Sequence, residues 1–260
     1  MTIQSSISQL KPLFRFPFHD RQSRTRFLIG SALSLAGFIV PIIPGLFVYG
    51  YTLRVLRLTA EGESPSMLPW DDWSTFLRLG FRGAIVSLLF TAPAIVVFLV
   101  GISVYFGTFF LLPFSSGPEA NGAESAFAIL VLVAMAVMFL SMALGSILLV
   151  LGTIPLPAST SHFVVKDQLS AAFRVREWWP ILSANRLGYF ISFVIVSGIL
   201  GIAYYAFFAL YSTLVLLCVA YLIMVPVLFY AMLVAASVFG VTYREGRAMV
   251  QEHSLSSSPE

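Results

Sequence analysis

The chain has a single cysteine, Cys218, in 260 residues, and it lies in a long apolar run. No intrachain disulfide and no thiolate metal cluster can be built on one thiol, so it reads as a small buried hydrophobe. Charge is scarce as well: 10% of residues are charged, 58% are hydrophobic, and mean hydropathy is +0.91. A soluble domain carries about a quarter of its residues as charges. This chain is therefore read as an integral membrane protein. Its formal charge of +3 needs no acidic partner, because cytoplasmic loops carry extra Lys and Arg. No nucleic-acid partner is expected.

Catalytic motifs are missing too. There is no Gly-x-Ser-x-Gly elbow, no His-Glu-x-x-His and no phosphate loop. No Asp, Glu, Lys, Arg or His falls within the apolar runs 27–51, 83–114, 126–156 and 187–242. Proton relays and charge-coupled carriers keep such residues inside their spans, so both are disfavoured. The three histidines, His19, His162 and His253, are scattered. Asp71 and Asp72, helped by Asp167 or Glu177, form the one carboxylate group that could reach a divalent ion. Adjacent carboxylates point to different sides of a helix, so capping and pairing with nearby Arg is the expected use. No catalytic, cofactor-binding or metal-binding residue is assigned.

What is present is span-length apolar sequence. A bilayer core takes about 20 residues of helix, and the run 187–242 is long enough for two, with a connection expected near 209–212. Pro93 and Pro226 fall inside spans, where proline marks a kink. All fifteen Lys and Arg residues lie before Phe27, between Arg54 and Arg82, between Lys166 and Arg186, or after Tyr243. The loop 115–125 has none and carries Glu119 and Glu124. By the positive-inside rule that loop is external, the basic segments and the C-terminus are cytoplasmic, and the protein is a multi-pass protein of the cell membrane.

The run 27–51 is interrupted by Pro41, Pro44 and Gly45. A single crossing would put Lys11, Arg15, Arg21, Arg24 and Arg26 outside, against the rule. A turn at the prolines would make a re-entrant hairpin, buried in protein because lipid cannot satisfy its freed backbone groups. The hairpin is favoured. A weak internal echo argues the other way: "RLGF" at 78–81 returns as "RLGY" at 186–189, with Trp70 and Trp178 eight residues before each, and Pro155 and Pro157 answer Pro41 and Pro44.

In "WDDWSTFLRLGFRG" the apolar residues Trp73, Phe76, Leu77, Gly80 and Phe81 share one helical face, which predicts an amphipathic helix in the membrane plane, capped by Asp71 or Asp72. A second such stretch, 166–186, is expected to be split by Pro180. All four tryptophans lie in these stretches, and Trp73, Trp178 and Trp179 are read as interfacial anchors. Small residues at i and i+4, including Ser141/Gly145, Ser197/Gly201 and Ala236/Gly240, predict close helix packing.

"GYTLRVLR" at 50–57, "LPWDDW" at 68–73 and "FYAMLVAASVFG" at 229–240 together resemble the domain of unknown function 4013 family, multi-pass membrane proteins of bacteria and archaea. The resemblance runs over 27–246. It implies that Gly50, Tyr51, Arg54, Leu68, Pro69, Trp70, Asp71 and Asp72 form the family signature on the cytoplasmic face, and it implies no activity or cofactor.

The expected fold is all-α: a polytopic transmembrane helix bundle of four full spans, a proline-broken first segment that re-enters or crosses, and two in-plane amphipathic helices. A polar cytoplasmic segment covers 1–26, the helical domain 27–243, and a disordered cytoplasmic tail 244–260. The expected function is that of a non-catalytic membrane scaffold or accessory subunit, meeting membrane lipids and either a membrane-protein partner or a second copy of itself. The alternative is a transporter or flippase for a neutral solute or lipid. A membrane enzyme would need a polar pocket around Asp71, Asp72, Asp167 or His162.

Overall fold

The structure is a computed structural model that describes residues 11–37, 39–115, 123–213 and 217–256. Among these residues every regular element is helical. A 3-10 turn, Phe16–Phe18, precedes α1 (Arg21–Ala36), α2 (Ile43–Glu61), α3 (Trp73–Ser115), α4 (Ala123–Thr153) and α5 (Leu156–Lys166). A second 3-10 turn, Leu169–Phe173, leads into α6 (Val175–Ala184), α7 (Arg186–Tyr211) and α8 (Leu217–Ser256). Four stretches, Trp73–Phe110, Phe127–Lys166, Arg186–Tyr211 and Val219–Ser256, are long and apolar enough to cross a bilayer. The chain is an all-α membrane protein.

Local chemistry sets the helix ends. Asp20 accepts from the Ser23 amide at 2.6 Å to open α1, Asp72 accepts from the Thr75 amide at 3.2 Å to open α3, and Asn185 accepts from the Gly188 amide at 3.2 Å to open α7. At the end of α2, Gly62 takes φ 100°, and the Glu63 amide reaches back to the Leu58 carbonyl at 2.9 Å. That left-handed closure suits a residue without a Cβ. Pro41 lies in the turn between α1 and α2, and Pro44 in the first turn of α2 beside Gly45. Pro155 and Pro157 repeat the arrangement between α4 and α5. A missing amide hydrogen removes no bond in a first helical turn. Pro93 and Pro226 lie within α3 and α8, which continue through them.

Two compact units are present: residues 1–86 with 157–260, and residues 87–156. In the first, α8 is central, with α1, α2, α6 and α7 packed on it. Val55, Phe229, Leu233 and Val234 are fully enclosed there. Phe27 of α1 and Tyr51 of α2 both meet Phe229, with ring centroids 5.5 and 6.2 Å away. The start of α1 and the middle of α2 thus reach one level of α8, and the two arms run antiparallel. Glycines let the helices close: a Cβ at Gly240 would run into Thr59, and one at Gly246 would lie 2.6 Å from the Ile181 carbonyl.

The second unit holds the remainder of α3 against α4. A Cβ on Gly101 would lie 2.5 Å from the Ser141 Cβ, one on Gly145 would lie 2.7 Å from the Phe98 ring, and one on Gly152 would meet the Phe90 carbonyl. The two helices therefore run antiparallel. Ala94 and Ala134 are buried, whereas leucines and phenylalanines elsewhere on both helices are exposed.

Several expectations are refined or corrected. The first amphipathic stretch forms the opening turns of α3 and runs on without a break into the span it was expected to lead into, with Gly80 and Gly83 packed on α2. Pro180 does not split α6, whose Trp178 and Ile181 are buried on either side of it. The tail does not begin at 244: α8 runs to Ser256, since Gly246 and Val250 continue the packing against Ile181. The connection between the last two spans opens at Ser212, within the range expected for it. A Cβ on Gly201 would have nothing within 4 Å, so this glycine takes no part in helix packing. Most of the expected external loop lies outside the described residues.

Candidate functional site

Two groupings gather the polar and aromatic residues of the first unit. One is built on the sequence "GYTLRVLR…LPWDDW". At its base α2 and α3 cross with backbones in contact: a Cβ on Gly50 would run into the Phe76 carbonyl, and one on Gly80 into the Leu46 carbonyl. One residue on, Tyr51 is fully buried and stacks on Trp70, centroids 4.1 Å apart at 11°. The Tyr51 hydroxyl donates to the Leu68 carbonyl at 3.0 Å. Trp70 Nε1 donates to the Arg26 carbonyl at 2.9 Å, and Arg26 Nη1 donates to the Met67 carbonyl at 2.6 Å. The loop 62–72 is thereby tied to both α1 and α2.

Within this grouping the eight signature residues divide by role. Gly50, Tyr51, Leu68 and Trp70 build the packing just described. Asp72 is exposed and caps α3, and hydrogen bonds from Thr75 hold its carboxyl below the usual range. Arg54 is half-buried, and its charge adds a minor part to that lowering. Pro69 and Asp71 are exposed. Among the tryptophans, Trp73 and Trp179 are exposed as interfacial anchors require. Trp178 is not: it is 2% exposed and donates from Nε1 to the Ala172 carbonyl at 2.9 Å. Its neighbours on α6 and the 3-10 turn enclose it, so it is a core residue.

The second grouping was not assembled by sequence reasoning. A cleft of about 580 Å³ opens between α5, α6 and α8, lined by His162, Lys166, Arg174, Glu177, Tyr243 and Arg247, with Val165 and Ile181 beside them. His162 is buried, and both ring nitrogens are engaged: Nδ1 with the Tyr243 hydroxyl at 2.8 Å and Nε2 with Glu177 Oε2 at 2.9 Å. Arg174 Nη1 donates to Glu177 Oε1 at 2.8 Å, and its Nη2 donates to Gln168 Oε1 at 2.7 Å. Hydrogen bonds from His162, then from Arg174, hold the Glu177 carboxyl down to about 2. A carboxylate so held only accepts, so Nε2 of His162 carries the proton. Tyr243, His162, Glu177 and Arg174 thus form one hydrogen-bonded chain along the cleft wall.

The carboxylates considered for a divalent ion are not brought together. Asp72 caps α3, Asp167 pairs with Arg82 at 3.4 Å, and Glu177 is taken by His162 and Arg174. Among the described residues no group of three His, Cys, Asp or Glu could hold a metal ion. Two fragments of the cleft were nonetheless legible in the sequence. His162 and Lys166, and Tyr243 and Arg247, are each four apart on a helix, which sets each polar ring one turn from a cation.

The model of the family described as "Protein of unknown function (DUF4013)" matches residues 33–212, more than two thirds of the chain. The chain belongs to this family. No curated protein and no solved structure matches it. The DUF4013 match holds the residues 50–72 and, in the cleft, His162, Lys166, Arg174 and Glu177. It stops short of α8, so Tyr243 and Arg247 complete the cleft from outside the matched residues. The stretch 229–240 also lies outside it.

Proposed function

We propose that the protein is a non-catalytic component of the cell membrane, a scaffold or accessory subunit, with its basic end and both termini in the cytoplasm. The observation that carries this reading is the use made of the resemblance-bearing residues. Gly50, Tyr51, Leu68 and Trp70 are consumed in a backbone crossing and an aromatic stack, which is architecture rather than a substrate path. All fifteen Lys and Arg residues belong to the unit formed by 1–86 and 157–260, which supports a single basic face on the cytoplasmic side. The antiparallel α1 and α2 support the hairpin, since that arrangement returns Arg21, Arg24 and Arg26 to the level of Trp70. Its turn is not enclosed by protein, contrary to expectation: Ile39 is 85% and Ile42 70% exposed.

Purification of the full chain from its own membranes in mild detergent tests the scaffold reading. A homo-oligomer or a partner at fixed stoichiometry is expected. A monodisperse lone monomer overturns the reading in favour of a carrier for a neutral solute or lipid. For sidedness, Cys218 is replaced and a cysteine placed at Ser5 in intact cells. Protection from an impermeant thiol reagent is expected, and labelling would rule out the hairpin.

A further inference from the structure

We infer that the cleft between α5, α6 and α8 is a binding site for a phosphate group, presented by an anionic lipid headgroup or as the free ion. Three cations converge on it from three elements: Lys166 at the end of α5, Arg174 before α6, and Arg247 on α8. The one carboxylate in the lining, Glu177, is already satisfied by His162 and Arg174. Among the described residues neither Lys166 nor Arg247 makes an ion pair, and both side chains are exposed. With three cations against one carboxylate, the lining carries a surplus of two positive charges. An arginine fork and a lysine point charge are the pair that phosphate oxygens favour.

Position argues for the headgroup. Lys166 closes a stretch long and apolar enough to span the bilayer, and Arg247 lies in the last turns of another. Basic pockets between helices at the cytoplasmic face are where anionic headgroups bind. Phe173 and Val175, the chain neighbours of Arg174, are 43% and 50% exposed and offer apolar surface to the chains of such a lipid. Val165 and Ile181 bring apolar surface into the lining itself. The inference deepens the scaffold reading by giving its basic end a ligand class, and it rests on the placement of that end at the membrane surface.

The test uses the full chain in detergent. Native mass spectrometry counts bound phosphatidylglycerol against phosphatidylcholine, and a thermal-shift arm titrates inorganic phosphate alone. Retention of phosphatidylglycerol is expected, weakened about fivefold by Lys166→Gln and about thirtyfold by Lys166→Gln with Arg247→Gln. Lys166→Arg should restore binding, and Arg57→Gln, outside the cleft and paired with Glu61, should bind as the unmodified chain does. If free phosphate is the ligand, phosphate alone raises the melting temperature and the double substitution abolishes that rise. Equal binding of the two lipids together with a phosphate response absent or insensitive to the substitutions overturns the proposal. A lone monomer that still binds phosphatidylglycerol through these cations removes the scaffold reading and leaves this one standing.

Discussion

The two units solve the packing problem in different ways. In the first, α8 is ringed by helices whose contacts are aromatic and aliphatic, with Tyr51, Val55, Phe229 and Val234 fully enclosed. In the second, α3 and α4 meet through Gly101, Gly145 and Gly152, and their large side chains are exposed. Lipid is as apolar as leucine, so burying leucine between two helices gains little there, and close approach of small residues supplies the attraction. In the first unit large side chains interlock around α8, whose stretch Val219–Ser256 is itself long and apolar enough to span. Close packing is thus the shared source of attraction, and only the size of the residues differs. One chain therefore uses glycine for two purposes: to let large residues lock around a crossing, and to replace them.

The largest effect that could break this comparison is expected at Gly50. Gly50→Ala sets a methyl group into the Phe76 carbonyl, backbone against backbone, and neither side can rotate away. A loss of about 3 kcal/mol or more is expected in unfolding from detergent; a loss near zero would mean the crossing is not tight. Gly145→Ala, in the second unit, meets only the Phe98 ring, which can turn aside. Its cost is expected to be about 1 kcal/mol, measured the same way. Gly201→Ala meets nothing and should stabilise α7 by about 0.5–1 kcal/mol.

The smallest effect concerns pH and the cleft. The Glu177 carboxyl is lowered from 4.5 to about 2 by His162 and Arg174. It therefore contributes stability above about pH 4.5, and that contribution is lost as pH falls toward 2. The melting temperature of the unmodified chain should exceed that of Glu177→Gln by a constant margin between about pH 5 and 7, shrinking below that. A margin that does not change with acidification would show that the charge is not what His162 and Arg174 hold.

Much of the fold was legible in residues. The four spans followed from runs without charge, and a carboxylate cap, Asp71 or Asp72, followed from the pair's place before Trp73; the structure selects Asp72. Ser141 and Gly145 fell where a close contact was expected. Three features did not read through. Trp178 looks like an anchor by composition, and only the enclosing 3-10 turn makes it core. The helix beyond Tyr243 reads as a polar tail, because its stabilising face, Gly246 and Val250, is small and rests on α6. The cleft unites residues up to 85 positions apart, from His162 to Arg247, and no local pattern carries a pairing across that distance.

By itself the sequence determined the solvent of this protein and where its apolar spans lie, because transfer of apolar residues into lipid depends on composition and not on neighbours. It also determined where helices start, since caps and prolines act within one turn. Only the tertiary structure decided which glycines carry helix crossings, which tryptophan is buried, and that His162, Glu177 and Tyr243 share a wall with three cations. Those outcomes depend on which surfaces meet, and on a helix every face is available until packing chooses one.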